Sequence, residues 1–454
     1  MTCASYNRGL VAVVFFMLGI GILLPWNFFI TAFDYFNERL NTTSSSVSES
    51  DQKDPYMFNN MCVLVSKLPL LLFTLLNSFV YQHIPEKMRI AGSMGLILGL
   101  FILTAALVKV RMEPDLFFSI TMATIWFINM FGAVLQGSLF GLVGKFPSKY
   151  ISWFMSGQAM AGIFSAVAML ISQISKTDNE SAALGYFITP CVATVLTLCC
   201  YLMLSHLRFS RMYLEDGTRN KKIQPYLKRK QNDNVTLDEV KPTDSGDTPA
   251  GTSKSTLAET DAEAFNTADG VDQPEQKATV LAVFKKIWMM ALCVTCVFGV
   301  TLSVFPAITV LVQPNHLFTG IWAEIFTPVC CFIVFNVMDW IGRSITSVFE
   351  WPRKQSRLFP ILVAARMIFI PAFMLCNIPS RTYLPSVFKH EFAYIVIMSL
   401  FALTNGYFGC LCISYAPQLV RSKDAETAGA LMTFFLALGL SLGGVLSFAL
   451  IELL

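Results

Sequence analysis

The chain has 454 residues, 54% hydrophobic and 14% charged, with a formal net charge of +3. A soluble globular domain carries about 25% charged residues, so this depletion, with its repeated apolar runs of about 20 residues, excludes a soluble fold and predicts an all-α polytopic membrane protein. The small net charge leaves no basic footprint of the kind nucleic-acid binders need.

Eleven apolar runs read as transmembrane helices, at 9–30, 60–81, 89–109, 116–141, 150–174, 184–206, 287–311, 320–342, 358–377, 391–415 and 427–452. The first is long enough to span and lacks a small-residue cleavage site, so it is a helix and not a removable signal. Within it Pro25 removes a backbone hydrogen bond and predicts a kink, followed by Trp26 and Asn27. Trp26 is either an interfacial anchor or a cavity residue, while a buried Asn27 amide wants partners. Residues 31–59 are rich in Ser, Thr and Asp, and Asn41-Thr42-Thr43 is a glycosylation acceptor pattern.

The second span carries Lys67, Pro69, Leu70 and Asn77. Lys67 lies too deep to reach an interface easily; it faces a cavity or stays a neutral amine. In the fourth span Gly132 and Gln136 share a face, and Gly137 and Gly141 form a small pair suited to close packing. Gln136 reads as a cavity residue. The fifth span repeats the mixture of small and polar residues in Ser156-Gly157-Gln158.

Residues 207–286 open basic (Arg208, Arg211, Arg219, Lys221, Lys222) and continue polar, which predicts a disordered linker with a lipid-facing basic flank. Asn234-Val235-Thr236 also has the acceptor pattern, and Ser245, Ser253 and Ser255 are candidate phosphorylation sites. The linker divides the chain into a six-helix part, 1–206, and a five-helix part, 287–454, an arrangement common in secondary transporters that bind substrate between their halves. Short loops on one side hold Lys87, Arg89, Lys145, Lys149, Arg353, Lys354, Arg357, Arg421 and Lys423. That side is predicted cytosolic by its positive charge, with the N-terminus cytosolic and the C-terminus exterior.

Beyond the linker, Phe305-Pro306-Ala307 predicts a helix break, and Asn336, Asp339 and Arg343 follow in the eighth span. A charge at the bilayer centre costs about 2.5–3.5 kcal/mol on insertion scales. Asp339 and Arg343 are four residues apart, share a helix face and pair, with Asn336 beside them. Such a face belongs against a protein interior or a water-filled cavity; a salt bridge holding spans together is the alternative reading. Asn405, Tyr407 and Glu426 follow, then Gly439 and Gly443 as another packing pair. Most of the 12 cysteines lie inside apolar runs and read as packing residues, Cys293 and Cys296 included. No ligand cluster suits a metal, no nucleophile–base set suits a hydrolase, and no phosphate loop suits an ATPase. The polar residues left over suit a neutral, planar ligand with many hydrogen-bonding groups, and no cofactor.

At Leu23–Phe29, Leu135–Gly141, Ser156–Gln158, Gly185–Thr189, Asp339–Ser344 and Glu426–Ala430 the sequence resembles the equilibrative nucleoside transporters. Leu72–Phe79 and Phe305–Thr309 look most like the vertebrate type 2 branch. The resemblance implies a major-facilitator-like fold of eleven helices and facilitated diffusion of nucleosides such as uridine and adenosine, with nucleobases added in the type 2 branch. It implies a non-enzymatic protein of the plasma membrane, glycosylated at Asn41, with membrane lipid around it and no obligatory protein partner.

By position it also implies that Trp26, Gln136, Asp339 and Arg343 line the cavity, with Asn27, Leu70, Phe305, Phe332, Asn336 and Leu440 around it. Asp339 and Arg343 then engage ribose hydroxyls and Gln136 the base, while Arg89 and Glu426 match gating positions. Two departures stand out. Lys67 replaces the Met or Gln of relatives, and Gly132, where the type 2 branch has Ser, implies sensitivity to nitrobenzylthioinosine-type inhibitors. The competing readings are an organic-cation or proton-linked transporter of the same fold, and a receptor or channel without turnover.

Overall fold

In an apolar run the backbone satisfies its own N–H and C=O groups most economically as helix, and in the computed structural model most of the described residues are helical. It describes residues 3–41, 58–80, 84–110, 112–175, 179–204, 206–207, 210, 279–314, 321–379 and 385–454. The linker positions Asn234, Ser245, Ser253 and Ser255, and its basic opening, lie outside the described residues.

The helices in chain order are α1 (Cys3–Thr31), α2 (Phe33–Asn41), α3 (Phe58–Val80), α4 (Glu86–Lys109), α5 (Pro114–Val143), α6 (Ser148–Ser175) and α7 (Asn179–Leu204). After the linker come α8 (Val280–Val304), α9 (Ile321–Phe326), α10 (Val334–Ile345), α11 (Leu358–Ala365), α12 (Phe369–Met374), α13 (Glu391–Gln418) and α14 (Ala425–Glu452). Among the described residues 9 helical stretches are long and apolar enough to cross a membrane. Two shorter apolar stretches, Val65–Phe79 and Leu358–Met374, stand where the second and ninth spans were predicted.

Four features bear on the sequence reading; three depart from it and one, the third, bears it out. The segment after α1 begins with α2, a polar helix of 9 residues, before the glycosylation motif. It is too short and charged to register as a span, and Arg39 pins it: its guanidinium donates to the Leu107 and Val108 carbonyls at 3.1 and 2.9 Å and lies 4.3 Å over the Phe117 ring. A cation on the last carbonyls of α4 is the expected complement to a helix C-terminus. Asn41 is the last residue of α2. Second, helix resumes at Val280, so the linker ends earlier than 286; Val280-Leu281-Ala282-Val283-Phe284 is apolar enough to join the span. Third, α8 stops at Val304 before a cis Phe305–Pro306 bond, as the predicted break required. Fourth, a π-helical turn, Thr327–Ile333, joins α9 to α10. Pro328, which has no N–H to give the ladder, sits at its start.

Packing joins helices that are far apart in the chain. In the N-terminal group α1 lies against α6 and α7, and α5 against α3 and α4. In the C-terminal group α8 lies against α14 and α13, and α10 against α13. Two seams join the groups, α14 on α3 and α5, and α10 and α13 on α6. Each group has an aromatic core: Phe29 and Phe36 stack at 5.2 Å on one side, and Phe373 and Phe401 meet edge to face at 5.1 Å on the other. Gly439 and Gly443 pack against the Thr295 and Gly299 backbone of α8, the close approach their spacing predicted.

Candidate functional site

Asp339 and Arg343 come from successive turns of α10, and helical spacing alone brings them together. Arg343 Nε stands 2.8 Å from Asp339 Oδ2, a charge contact whose angle is not that of an aligned hydrogen bond. Both side chains lie inside protein, 3% and 7% exposed, and not at open water. Helix α13 approaches α10 closely enough that a methyl on Gly406 would strike the Asp339 carbonyl, and one on Gly342 the Leu403 carbonyl.

That contact delivers Asn405, whose Nδ2 donates to Asp339 Oδ1 at 2.6 Å. Asn405 Oδ1 accepts from Thr301 Oγ1 at 2.7 Å, and Thr301 Oγ1 accepts from Arg366 Nη2 at 3.1 Å. Arg366 is 2% exposed and also donates to the Val297 carbonyl at 2.8 Å. The sequence reading missed Arg366. Its signal was present, because it is a charge inside the apolar stretch Leu358–Met374, the same anomaly that singled out Asp339.

Arg343 turns the other way, into the N-terminal group. Its Nη1 donates to the Met155 carbonyl at 3.2 Å and to Gln158 Oε1 at 3.5 Å, both on α6. The pair is therefore one link in a polar chain from Arg366 and Asn405 across the seam to Gln158. Below it the seam is pinned by Ser156 and Ser344 at 2.9 Å and by Thr346 and Ser152 at 2.9 Å.

Among the described residues the other predicted residues make no hydrogen bond or ion pair to this chain. Asn336 donates to Phe332 of its own helix at 2.9 Å and lies against Gly162 of α6. Phe305 stacks on Phe335 at 3.9 Å and meets Phe332 edge-on at 5.8 Å. Trp26 is half-buried and stacks on Phe29 at 6.0 Å. Asn27, Lys67, Leu70 and Leu440 are half-buried and Gln136 is buried. Among the described residues Asn27, Lys67 and Gln136 have no hydrogen-bond or ion-pair partner. Gly132 shares a helix face with buried Asn129 and Gln136, yet a methyl on it would meet nothing within 4 Å, so there is open space beside Gly132.

A second charged cluster ties the groups together where α4 begins and α5 ends. Arg89 Nη2 contacts Glu426 Oε1 at 2.9 Å, and Lys145 Nζ lies 3.0 Å from Glu426 Oε2 and 2.7 Å from Glu86 Oε2. Arg89 also donates to Ser138 at 3.2 Å. Burial opposes the charge on Lys145, but the Glu86 and Glu426 carboxylates outweigh it and hold its pKa above the usual lysine range. Gly141 and Gly429 permit the α5–α14 approach; a methyl on Gly141 would reach Glu426 Cγ at 2.9 Å. Thus Arg89 and Glu426 meet directly, and Lys145 and Glu86 complete a cluster the sequence reading had only in part.

The fold and the sequence each point outward to known proteins. A solved structure of the major facilitator superfamily proton:xylose symporter XylE, bound to 6-bromo-6-deoxy-D-glucose, superposes with a TM-score of 0.61 over 98% of this chain and 88% of its own, at 11% identity, which shows the fold alone. Equilibrative nucleoside transporter 2 of Rattus norvegicus is 51% identical across 98% of this chain and 97% of its own. Equilibrative nucleoside transporter 1 of Homo sapiens is 43% identical over 96% of each. The nucleoside transporter family matches residues 122–452, a range that takes in Asp339, Arg343 and Gln158 and, of the second cluster, Lys145 and Glu426. With half of all positions shared from end to end with one relative, the chain belongs to the nucleoside transporter family, more similar to its type 2 members than to the type 1 relative.

Proposed function

We propose that the protein moves purine and pyrimidine nucleosides, and nucleobases as well, across the membrane by facilitated diffusion without an obligatory coupling ion. The observation that carries this reading is the bridge made by Arg343: one guanidinium touches the C-terminal carboxylate Asp339 and the N-terminal Met155 and Gln158. A ligand competing for those groups alters the join between the helix groups, which is what alternating access requires. The ribose hydroxyls engage Asp339 and Arg343. The base lies among Trp26, Leu70 and Gln136, with Asn27, Phe305, Phe332, Asn336 and Leu440 around it and Lys67 at its edge. Gln136 and Asn27 support this, since buried or half-buried amides without protein partners favour a polar ligand.

In the same reading the chain forms six helices and five, residues 1–206 and 280–454 around a cytosolic linker. It resides in the plasma membrane with its N-terminus cytosolic, its C-terminus exterior and a glycan on Asn41. Arg89 and Glu426 form the cytosolic gate, and the open space beside Gly132 admits bulky nucleoside inhibitors. The test is initial-rate uridine uptake into transporter-null cells expressing Asp339→Asn or Arg343→Lys, normalised to surface protein. Uptake should fall to background in both; normal uptake in either removes the ribose assignment.

A further inference from the structure

Gln158 is a neutral polar group at the seam whose hydrogen bonding is incomplete among the described residues. It is 3% exposed, and its Nε2 has no acceptor among the described residues. An amide can flip, but Arg343 fixes this one: a guanidinium only donates, so the Gln158 oxygen must face Arg343 Nη1 and the nitrogen must point away from it. The result is a positioned donor with nothing to donate to. A buried donor left this way is costly, by about 1–3 kcal/mol, so a native structure that keeps one invites an explanation.

Its place in the seam supplies one. Helices α6 and α10 run antiparallel, pinned at Gly162 against Asn336 and at Ser156 against Ser344. Gln158 lies between those pins on α6. On α10, midway between Asn336 and Ser344, is Trp340, whose indole N–H is also buried without an acceptor. The facing helices therefore hold two neutral donors, Gln158 Nε2 and Trp340 Nε1, that find no acceptor among the described residues, with Trp340 one residue from Asp339. What is missing there is a neutral, acceptor-rich group. A cation would be repelled by Arg343, and an apolar group would leave both donors unpaired.

We propose that Gln158 is a substrate ligand in which Nε2 donates to a ribose oxygen of the nucleoside while Oε1 holds Arg343. The proposal rests on the assignment of ribose to Asp339 and Arg343 and extends it to the N-terminal helix group. Ribose then touches both groups at once, through Asp339 on α10 and Gln158 on α6. Substrate binding and the join between the groups become one event.

The experiment is a cycle between protein and substrate. Initial-rate kcat/KM is measured in proteoliposomes for uridine and its 2′-, 3′- and 5′-deoxy analogues, with the unmodified protein and with Gln158→Met, which keeps side-chain length and removes the amide. The unmodified protein should prefer uridine over at least two of the analogues. In Gln158→Met uridine transport should fall by about fivefold, the size of one neutral hydrogen bond. The preference against one analogue should collapse toward unity while that against the others persists. If Gln158→Met does not assemble, Gln158→Asn, which keeps the amide one methylene shorter, is measured in the same way and should lose the same preference in part. Preferences unchanged in the variant overturn the proposal and leave the Asp339 assignment standing; that result means a buried water satisfies the amide. An unmodified protein that transports all the analogues equally removes ribose recognition itself, and this proposal with it.

Discussion

Among the described residues two clusters of charged side chains stand where the helix groups meet, and they are built differently. At the α4–α5–α14 end each member of the cluster has an opposite charge: Glu426 takes Arg89 and Lys145, and Lys145 also takes Glu86. At the α6–α10 seam charge is scarce and neutral donors go unpaired: Asp339 has one ion-pair partner, Arg366 has carbonyls and hydroxyls, and Gln158 and Trp340 have unused N–H groups. A cluster that satisfies itself is a latch, with nothing to offer a ligand. A cluster held slightly short of satisfaction is a binding surface. Burial alone does not separate the two, since Arg89 and Arg343 are almost equally hidden, 5% and 7% exposed.

The largest effect that would break this contrast is expected at Asp339. Asp339→Ala removes the one carboxylate at the seam and leaves Arg343 buried without a counter-charge. Losing one partner of a buried pair costs about 3–5 kcal/mol, so thermal unfolding in detergent should shift down clearly while uridine uptake disappears. A variant that loses uptake with no thermal shift would mean the pair is not held by the protein as tightly as its distances imply.

Arg366→Met should show the opposite balance. Arg366 has no carboxylate contact within ion-pair distance among the described residues, and replacing a buried ion by an apolar side chain of similar volume is often neutral or stabilising. Its work is orientation. By donating to both the Val297 carbonyl and Thr301 Oγ1 it occupies the hydroxyl's alternative acceptor and turns the Thr301 proton toward Asn405. Asn405 is thereby committed to Asp339. Uptake should fall about tenfold, the cost of one charge-assisted hydrogen bond gone astray, with little loss of thermal stability. Destabilisation as large as that of Asp339→Ala would make Arg366 a structural ion instead.

How much of this was legible in the sequence depends on the range of the signal. Asp339 and Arg343 were readable because their partnership is local, four residues on one helix. Arg89 and Glu426 were readable only through family resemblance, since 337 positions separate them and no periodicity reports such a contact. Asn405 was visible as a polar residue in a span, but its acceptor was set by the Gly342–Gly406 crossing of α10 and α13. Arg366 escaped although its charge stands inside an apolar stretch, because the run around it reads as an ordinary span of Leu, Val and Ala. The sequence reading left the Asp339 face open between a protein interior and a water-filled cavity; the side chain is buried, with protein groups at both carboxylate oxygens. The short helix α2 escaped because its pattern is polar and its anchor, Arg39, bonds to carbonyls about 70 residues away.

At the latch, Glu426→Gln should give an intermediate effect. It keeps the shape and removes the charge shared by Arg89 and Lys145, so the end where α5 meets α14 should open more readily. Uptake should change by about fivefold, within the range of conformational coupling energies, and a cysteine placed at Gly144 should react faster with a hydrophilic maleimide. Unchanged reactivity would mean the α5–α14 glycine contact closes this end without help from charge.

The smallest effect belongs to Lys145. Its side chain is 25% exposed, so screening weakens its pairs, and Lys145→Met should cost no more than about 1 kcal/mol, as near-surface ion pairs do. Because Glu86 and Glu426 raise its folded pKa above the lysine value, the stability it adds is fully present below the unfolded pKa of about 10.4 and is lost only as pH rises through the higher folded value. The thermal shift between Lys145→Met and the unmodified protein should therefore be flat from pH 6 to pH 9 and should narrow only on the alkaline side. A difference that shrinks as pH falls through that range would place the controlling proton on a carboxylate of the cluster, and Glu426 would then be the sensitive member of the latch.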